Sequence, residues 1–186
     1  MSIIKIFFIL IYLISLIITF PVNASRTSDS YDGNIFPIYA GNGSIVPPQT
    51  TLKESIENNR TSILFFYLDD SSNSKSMVPI ISGLDLIWRN KIDIIALTTD
   101  ELQGGLSSSN KQDASFYWNG YIPQTIVIDG SGEVVFDKNG LIDIDEINKI
   151  TAIAIGVEIN DSTFSLESFN EYNSRISKKV NPQNNN

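Results

Sequence analysis

Two short, largely apolar runs set the strongest limit on how this chain can fold. Ser62–Leu68 reads SILFFYL and Ile92–Leu97 reads IDIIAL. Each is short for a buried helix and rich in aromatic or β-branched residues, which suits a strand covered on both faces. Between them, 74–90 carries Met77, Ile80, Ile81, Leu84, Ile87 and Trp88 at helical spacing, and Pro79 is expected to kink that helix. Strand, long helix and strand make a βαβ unit, so the two strands are predicted to lie parallel.

Other elements gather around this unit. Thr51-x-x-Glu54 is a capping box, opening a short helix over 51–58 with Leu52 and Ile56 on one face. A loop is predicted over 104–110 and a short helix over 113–118. The strands Thr125–Ile128 and Glu133–Phe136 are joined by Asp129-Gly130-Ser131-Gly132, which predicts an antiparallel hairpin. Asp143-x-x-Glu146 opens a last helix carrying Ile144, Ile147 and Ile150, with Gly156 placed to end it. Residues 33–48 mix Ile35, Phe36, Ile38, Tyr39, Ile45 and Val46 with glycines and prolines, and read as short strand-like pieces and turns. The predicted fold class is α/β, a central mixed sheet of a parallel βαβ followed by an antiparallel hairpin, flanked by helices.

The N-terminus is of another kind. Lys5 precedes an apolar run from Ile6 to Phe20, broken only by Ser15 and Thr19, and Val22-Asn23-Ala24 follows Pro21. This fits a signal peptide cleaved after Ala24. The alternative is an uncleaved anchor, because Ile3–Val22 supplies about the 20 residues that a membrane span needs. Both readings carry the rest of the chain across a membrane. The predicted organisation is 1–24 signal peptide or anchor, 25–50 an extension packed on the domain, 51–158 the domain, and 159–186 a C-terminal extension and tail. Within these, 25–32 reads as a flexible lead-in, 158–174 as a further amphipathic piece, and 177–186 as disordered.

Two absences limit the chemistry. The chain has no Cys and no His. Thiol–disulfide exchange, thiolate nucleophiles and Ser-His-Asp catalysis are therefore excluded, and the commonest transition-metal ligand is missing. The formal net charge of −8 makes nucleic acid a poor partner. No cofactor or metal is expected, and no catalytic residue is assigned.

The segment 63–80 resembles the active-site region of thioredoxins, where an apolar strand ends in Cys-x-x-Cys at the start of a helix. Here the register reads Ser71-Ser72-Asn73-Ser74-Lys75, with Pro79 five residues after Ser74. Both dithiol positions are serine. Ile122-Pro123-Gln124 stands where that family carries a cis-proline ahead of the hairpin, and the buried acid of the family falls at Phe65. The stretches 31–43 (YDGNIFPIYAGNG) and 66–71 (FYLDDS), with Tyr117-Trp118-x-Gly120-x-Ile122-Pro123-Gln124, are similar to the cyanobacterial thylakoid membrane photosystem I accumulation factor family. The resemblance implies a thioredoxin-like protein of the thylakoid membrane or lumen that helps photosystem I accumulate; without cysteine, this chain is expected to be non-redox and non-enzymatic. Its implied partners are proteins, among them photosystem I subunits or assembly intermediates, and membrane attachment through the N-terminus follows if that segment is retained. The alternative is a general exported chaperone or interaction module with a degenerate groove.

Several residues are candidates for a partner groove: Asp69, Asp70, Ser72, Asn73, Tyr117, Trp118, Tyr121 and Pro123, beside the degenerate positions Ser71 and Ser74. With no base to activate them, the serines are expected to cap the helix N-terminus, and the two aspartates to complement its positive end. For Phe116–Tyr121, exposure of Tyr117, Trp118 and Tyr121 on one face would mark a binding surface, and burial would mark core.

Overall fold

The structure is a computed structural model describing Tyr12, 25–100, Leu102 and 108–157. The apolar segment 1–24 (Tyr12 apart), most of the 104–110 loop, the amphipathic stretch 158–174 and the tail 177–186 lie outside the described residues.

Elements run in the order α1 (Ile35–Ala40), α2 (Leu52–Glu57), β1 (Thr61–Tyr67), α3 (Ser72–Trp88), β2 (Ile92–Thr98), β3 (Gln124–Ile128), β4 (Val134–Asn139) and α4 (Ile144–Ala154). The sheet order is β2-β1-β3-β4. β1 pairs in parallel with β2 from Thr61 opposite Ile92 to Tyr67 opposite Thr98, and antiparallel with β3. β3 and β4 form the hairpin. A parallel βαβ followed by an antiparallel hairpin and a helix is the thioredoxin-like arrangement, as the sequence predicts.

β1 is an inner strand of the sheet, and all seven of its residues are buried. Alternation along the strand sends its side chains to two cores. Ile63, Phe65 and Tyr67 face α1, α3 and α4, where they meet Phe36, Met77, Ile81, Leu84 and Ile147. Leu64 and Phe66 face the other side, covered by Leu52 of α2, Ala114 and the half-buried Tyr117 and Trp118. The capping box of α2 is present, with Thr51 and Glu54 each accepting from the other's backbone N–H. Asp143 caps α4. Gly156 lies beyond α4 with φ +70°, and the N–H of Val157 returns to the Ala152 carbonyl.

One region departs from the sequence reading. Residues 35–40 form a helix and not strand-like pieces. Pro37 falls in the first turn, where a backbone N–H has no helical partner to lose. The Asn34 side chain accepts from the Phe36 N–H, and Gly41, at φ +63°, closes the helix by donating to the Phe36 and Pro37 carbonyls. Phe36 then inserts against β1. Its ring meets Phe65 edge-on at 6.1 Å and Tyr67 at 5.5 Å, while Phe65 and Tyr67 stack at 5.5 Å. This contact is tertiary, so local propensity carries no sign of it.

Candidate functional site

The site sits where β1 ends and α3 begins. The Ser71 hydroxyl accepts from the Ser74 N–H at 3.3 Å, capping the helix. Ser74 is fully buried, and its hydroxyl oxygen accepts from the Leu68 N–H at 3.3 Å. Both degenerate dithiol positions therefore bind the turn together. Each hydroxyl accepts from a backbone N–H of the turn.

Asp69 holds a different helix from the one expected. Its carboxylate accepts from the Ile35 N–H at 3.1 Å, which fastens α1 to the end of β1. Burial pushes its carboxyl above the usual range, and the Asp100 and Asp70 charges add to this against the lowering effect of the Ile35 N–H. The carboxylate that meets the α3 N-terminus is Asp29, accepting from the Ser72 N–H at 2.7 Å. That bond lowers the Asp29 pKa.

Asp29 belongs to a strap, Ser25–Asp32, that the sequence reading left as a flexible lead-in. The strap is held by Lys75. This side chain is fully buried, and its ammonium donates to Asp32 Oδ2 at 2.6 Å, to the Ser30 carbonyl at 2.5 Å and to the Ser28 carbonyl at 2.9 Å. Three oxygens satisfy three N–H donors. The Ser25 carbonyl stands further off at 3.4 Å. Tyr39 donates its hydroxyl to the same Asp32 oxygen at 2.6 Å, and its ring centre lies 5.8 Å from the ammonium. The hydrogen bonds from Lys75 and Tyr39 hold the Asp32 carboxyl down at about 2. Burial, and then the Asp32 carboxylate, push the Tyr39 hydroxyl up to about 12.

The opposite flank is built by Gln124. Its amide donates to the Tyr117 carbonyl at 3.0 Å and to Asp137 Oδ1 at 2.8 Å, and its oxygen accepts from the Asn119 N–H at 3.0 Å. Asn119 in turn donates to Asn139 Oδ1 at 3.1 Å and accepts from the Tyr121 N–H at 3.2 Å. The Ile122–Pro123 peptide is cis and Pro123 is buried. The aromatic stretch divides. Tyr121 is 68% exposed and Phe116 is 37% exposed, whereas Tyr117 and Trp118 pack half-buried on the second core. Of the candidate groove residues, the ones open to solvent are Asp70, Asn73 and Tyr121. Among the described residues, no group of three His, Cys, Asp or Glu side chains could hold a metal ion.

No family profile matches the chain. A curated relative, the thylakoid membrane protein slr1796 of Synechocystis sp., is 32% identical over 155 residues, covering 82% of this chain and 77% of that protein. The chain belongs to the slr1796 family. Solved structures similar to it include a mutant thioredoxin from Halobacterium salinarum, at 20% identity and a TM-score of 0.44, over 59% of this chain and 85% of that one. A thioredoxin-family thiol:disulfide interchange protein from Chlorobium tepidum gives 17% identity and a TM-score of 0.44, over 59% and 92%.

In this member of the slr1796 family, three groups that hold the site together escaped sequence reasoning. The sequence reading gives Lys75 no role beyond following Ser74, and its acceptors lie 43 to 50 residues earlier. Asp29 and Gln124 are short polar side chains in unpatterned surroundings. The one local signal was the position of Gln124, directly after Pro123 and at the start of a strand. No helix among the described residues is long and apolar enough to cross a membrane.

Proposed function

We propose that this protein is a non-redox, non-enzymatic accessory factor of the thylakoid membrane that supports accumulation of photosystem I by protein contacts. The contacts are made at the α3 end of the sheet. The observation that carries this reading is the first turn of α3, where Ser71 and Ser74 form a closed structural cap in place of a dithiol. Around it, Gln124 and Asn119 hold the Tyr121 loop in one place, so an exposed aromatic is presented on a rigid support. The thylakoid name of the slr1796 relative and the resemblance of 31–43, 66–71 and 117–124 supply the biological setting.

The test is affinity purification of the tagged full chain from detergent-solubilised membranes of its own organism. Enrichment of photosystem I subunits over photosystem II is expected, with the enrichment lost in an Asp70→Ala/Tyr121→Ala variant that still folds. An unselective set of exported proteins would refute the photosystem reading in favour of general chaperoning. Retention of photosystem I by the double variant would move the contact to another face.

A further inference from the structure

We infer that the α3 end of the domain lies against the surface of the bilayer, with Tyr31 and Leu141 at the lipid–water boundary. The inference rests on reading Ile3–Val22 as a retained anchor, and it adds the orientation of the domain to that reading.

The tether decides which end faces the membrane. Only Asn23 and Ala24 stand between Val22 and Ser25. Three residue steps span at most about 11 Å. From Ser25 the chain has no slack to spend, because the strap is bound at once. Lys75 takes the Ser28 and Ser30 carbonyls and the Asp32 carboxylate, and Asp29 is bonded to the Ser72 N–H. Lys75 and Ser72 both lie in the first turns of α3. An inserted 3–22 segment therefore draws the start of α3, and with it the end of β1, to within a short distance of the headgroups. A domain hung from a free linker would have no such preference.

The same end of the sheet carries side chains suited to that position. Tyr31 lies within the strap and is 76% exposed. Leu141, 57% exposed, follows β4 at the point where the Gly140 N–H donates to the Pro123 carbonyl at 2.7 Å. Tyr121 precedes that same proline. Tyrosine is favoured at membrane interfaces because its ring is apolar and its hydroxyl stays wet. Exposed apolar side chains also occur elsewhere, at Leu86, Val134 and Ile153. Exposure alone would not choose between the faces, and the strap does. Among the described residues, the exposed charges at this end include Arg26 and Asp29 on the strap and the acidic Asp70, Asp100 and Asp143, a mostly acidic set that anionic headgroups would repel. The contact is therefore one of aromatic and aliphatic groups with a neutral lipid surface. Partners that reach Asp70, Asn73 and Tyr121 would then be membrane-protein segments at headgroup level.

The absence of cysteine makes the test direct, since any introduced thiol is the single labelling site. The full chain is reconstituted in phosphatidylcholine vesicles containing headgroup- or chain-nitroxide lipid. A fluorophore is attached in turn to Tyr31→Cys, Leu141→Cys, Ser131→Cys and Leu13→Cys. Ser131 is an exposed position in the turn at the far end of the hairpin, and the five residues of β3 alone set that turn back by about 17 Å. The expected result is strong headgroup quenching at 31 and 141 and little at 131. Equal quenching at 31, 141 and 131, with the label at 13 quenched by chain nitroxide, would overturn the orientation while leaving the anchor intact. No quenching at 13 would remove the anchor, and the orientation with it.

Discussion

The buried ammonium of Lys75 allows a quantitative challenge. Replacing it in Lys75→Met keeps the apolar length of the side chain and removes the charge. Asp32, whose side chain is 6% exposed, then keeps a carboxylate with only Tyr39 and Ser30 to bond it, and the Ser28 and Ser30 carbonyls lose their donor. Breaking a buried pair by removing one partner costs about 3–5 kcal/mol, because the other charge is left uncompensated. A limit exists. If the strap lifts away, water resolvates Asp32, and the loss cannot exceed the free energy of docking the strap. Urea unfolding of the full chain in detergent, followed through Trp88 and Trp118, measures the total. Hydrogen exchange at the Ser72 N–H, which is bonded to Asp29 of the strap, shows whether the strap has lifted. The double variant Lys75→Met/Asp32→Leu removes both charges and is expected to recover most of the loss. A single variant that loses less than about 1 kcal/mol, with the Ser72 amide still protected, would refute the view that this pair holds the strap.

Acid and base act on the same cluster. Asp32 has its folded pKa near 2, below its unfolded value of about 4, so its contribution is complete above pH 4 and disappears as pH falls towards 2. Tyr39 shifts upward to about 12, so the fold binds its proton more tightly and loses stability as pH rises from about 10 to about 12. Urea midpoints against pH should show both limbs, the acid limb flattened in Asp32→Asn and the alkaline limb flattened in Tyr39→Phe. A Cβ at Gly130 would meet the Asn59 carbonyl oxygen at 2.5 Å, and Gly130→Ala is expected to lower stability by about 1–3 kcal/mol in the same assay. Phe36→Ala removes the aromatic that seats α1 on β1 and should cost about 3–5 kcal/mol, with amide protection lost across 35–41.

What could be read from the sequence divides along physical lines. The βαβ unit was legible because strand and helix periodicities differ and the apolar runs are short and clean. The caps at Thr51 and Asp143, and a serine cap among Ser71, Ser72 and Ser74, were legible because a capping side chain acts within three residues of itself. The helix at 35–40 was hidden by Pro37, Gly41 and Gly43, residues that read as turns until Phe36 is seen against Phe65 and Tyr67. Asp69 was assigned to the helix that follows it, yet it serves Ile35, 34 residues earlier. The groove was only half legible. The aromatic cluster at 116–121 was visible, but its division into exposed Tyr121 and half-buried Tyr117 and Trp118 depends on the Gln124 bonds and on packing against Leu64 and Phe66. Burial of a lysine is the least legible event of all, since it depends on distant oxygens assembling around it.

That lysine also imposes an order in time. The oxygens that neutralise it come 43 to 50 residues before it in the chain. A chain made and delivered from its N-terminus presents the strap first and must leave it solvated until α3 arrives. Closing so long a loop adds only slowly to the entropy cost, so the delay follows from the order of arrival and not from a weak bond. The strap cannot settle on an unfinished domain. Its docking marks completion, and before that moment Asp29 and Asp32 remain hydrated.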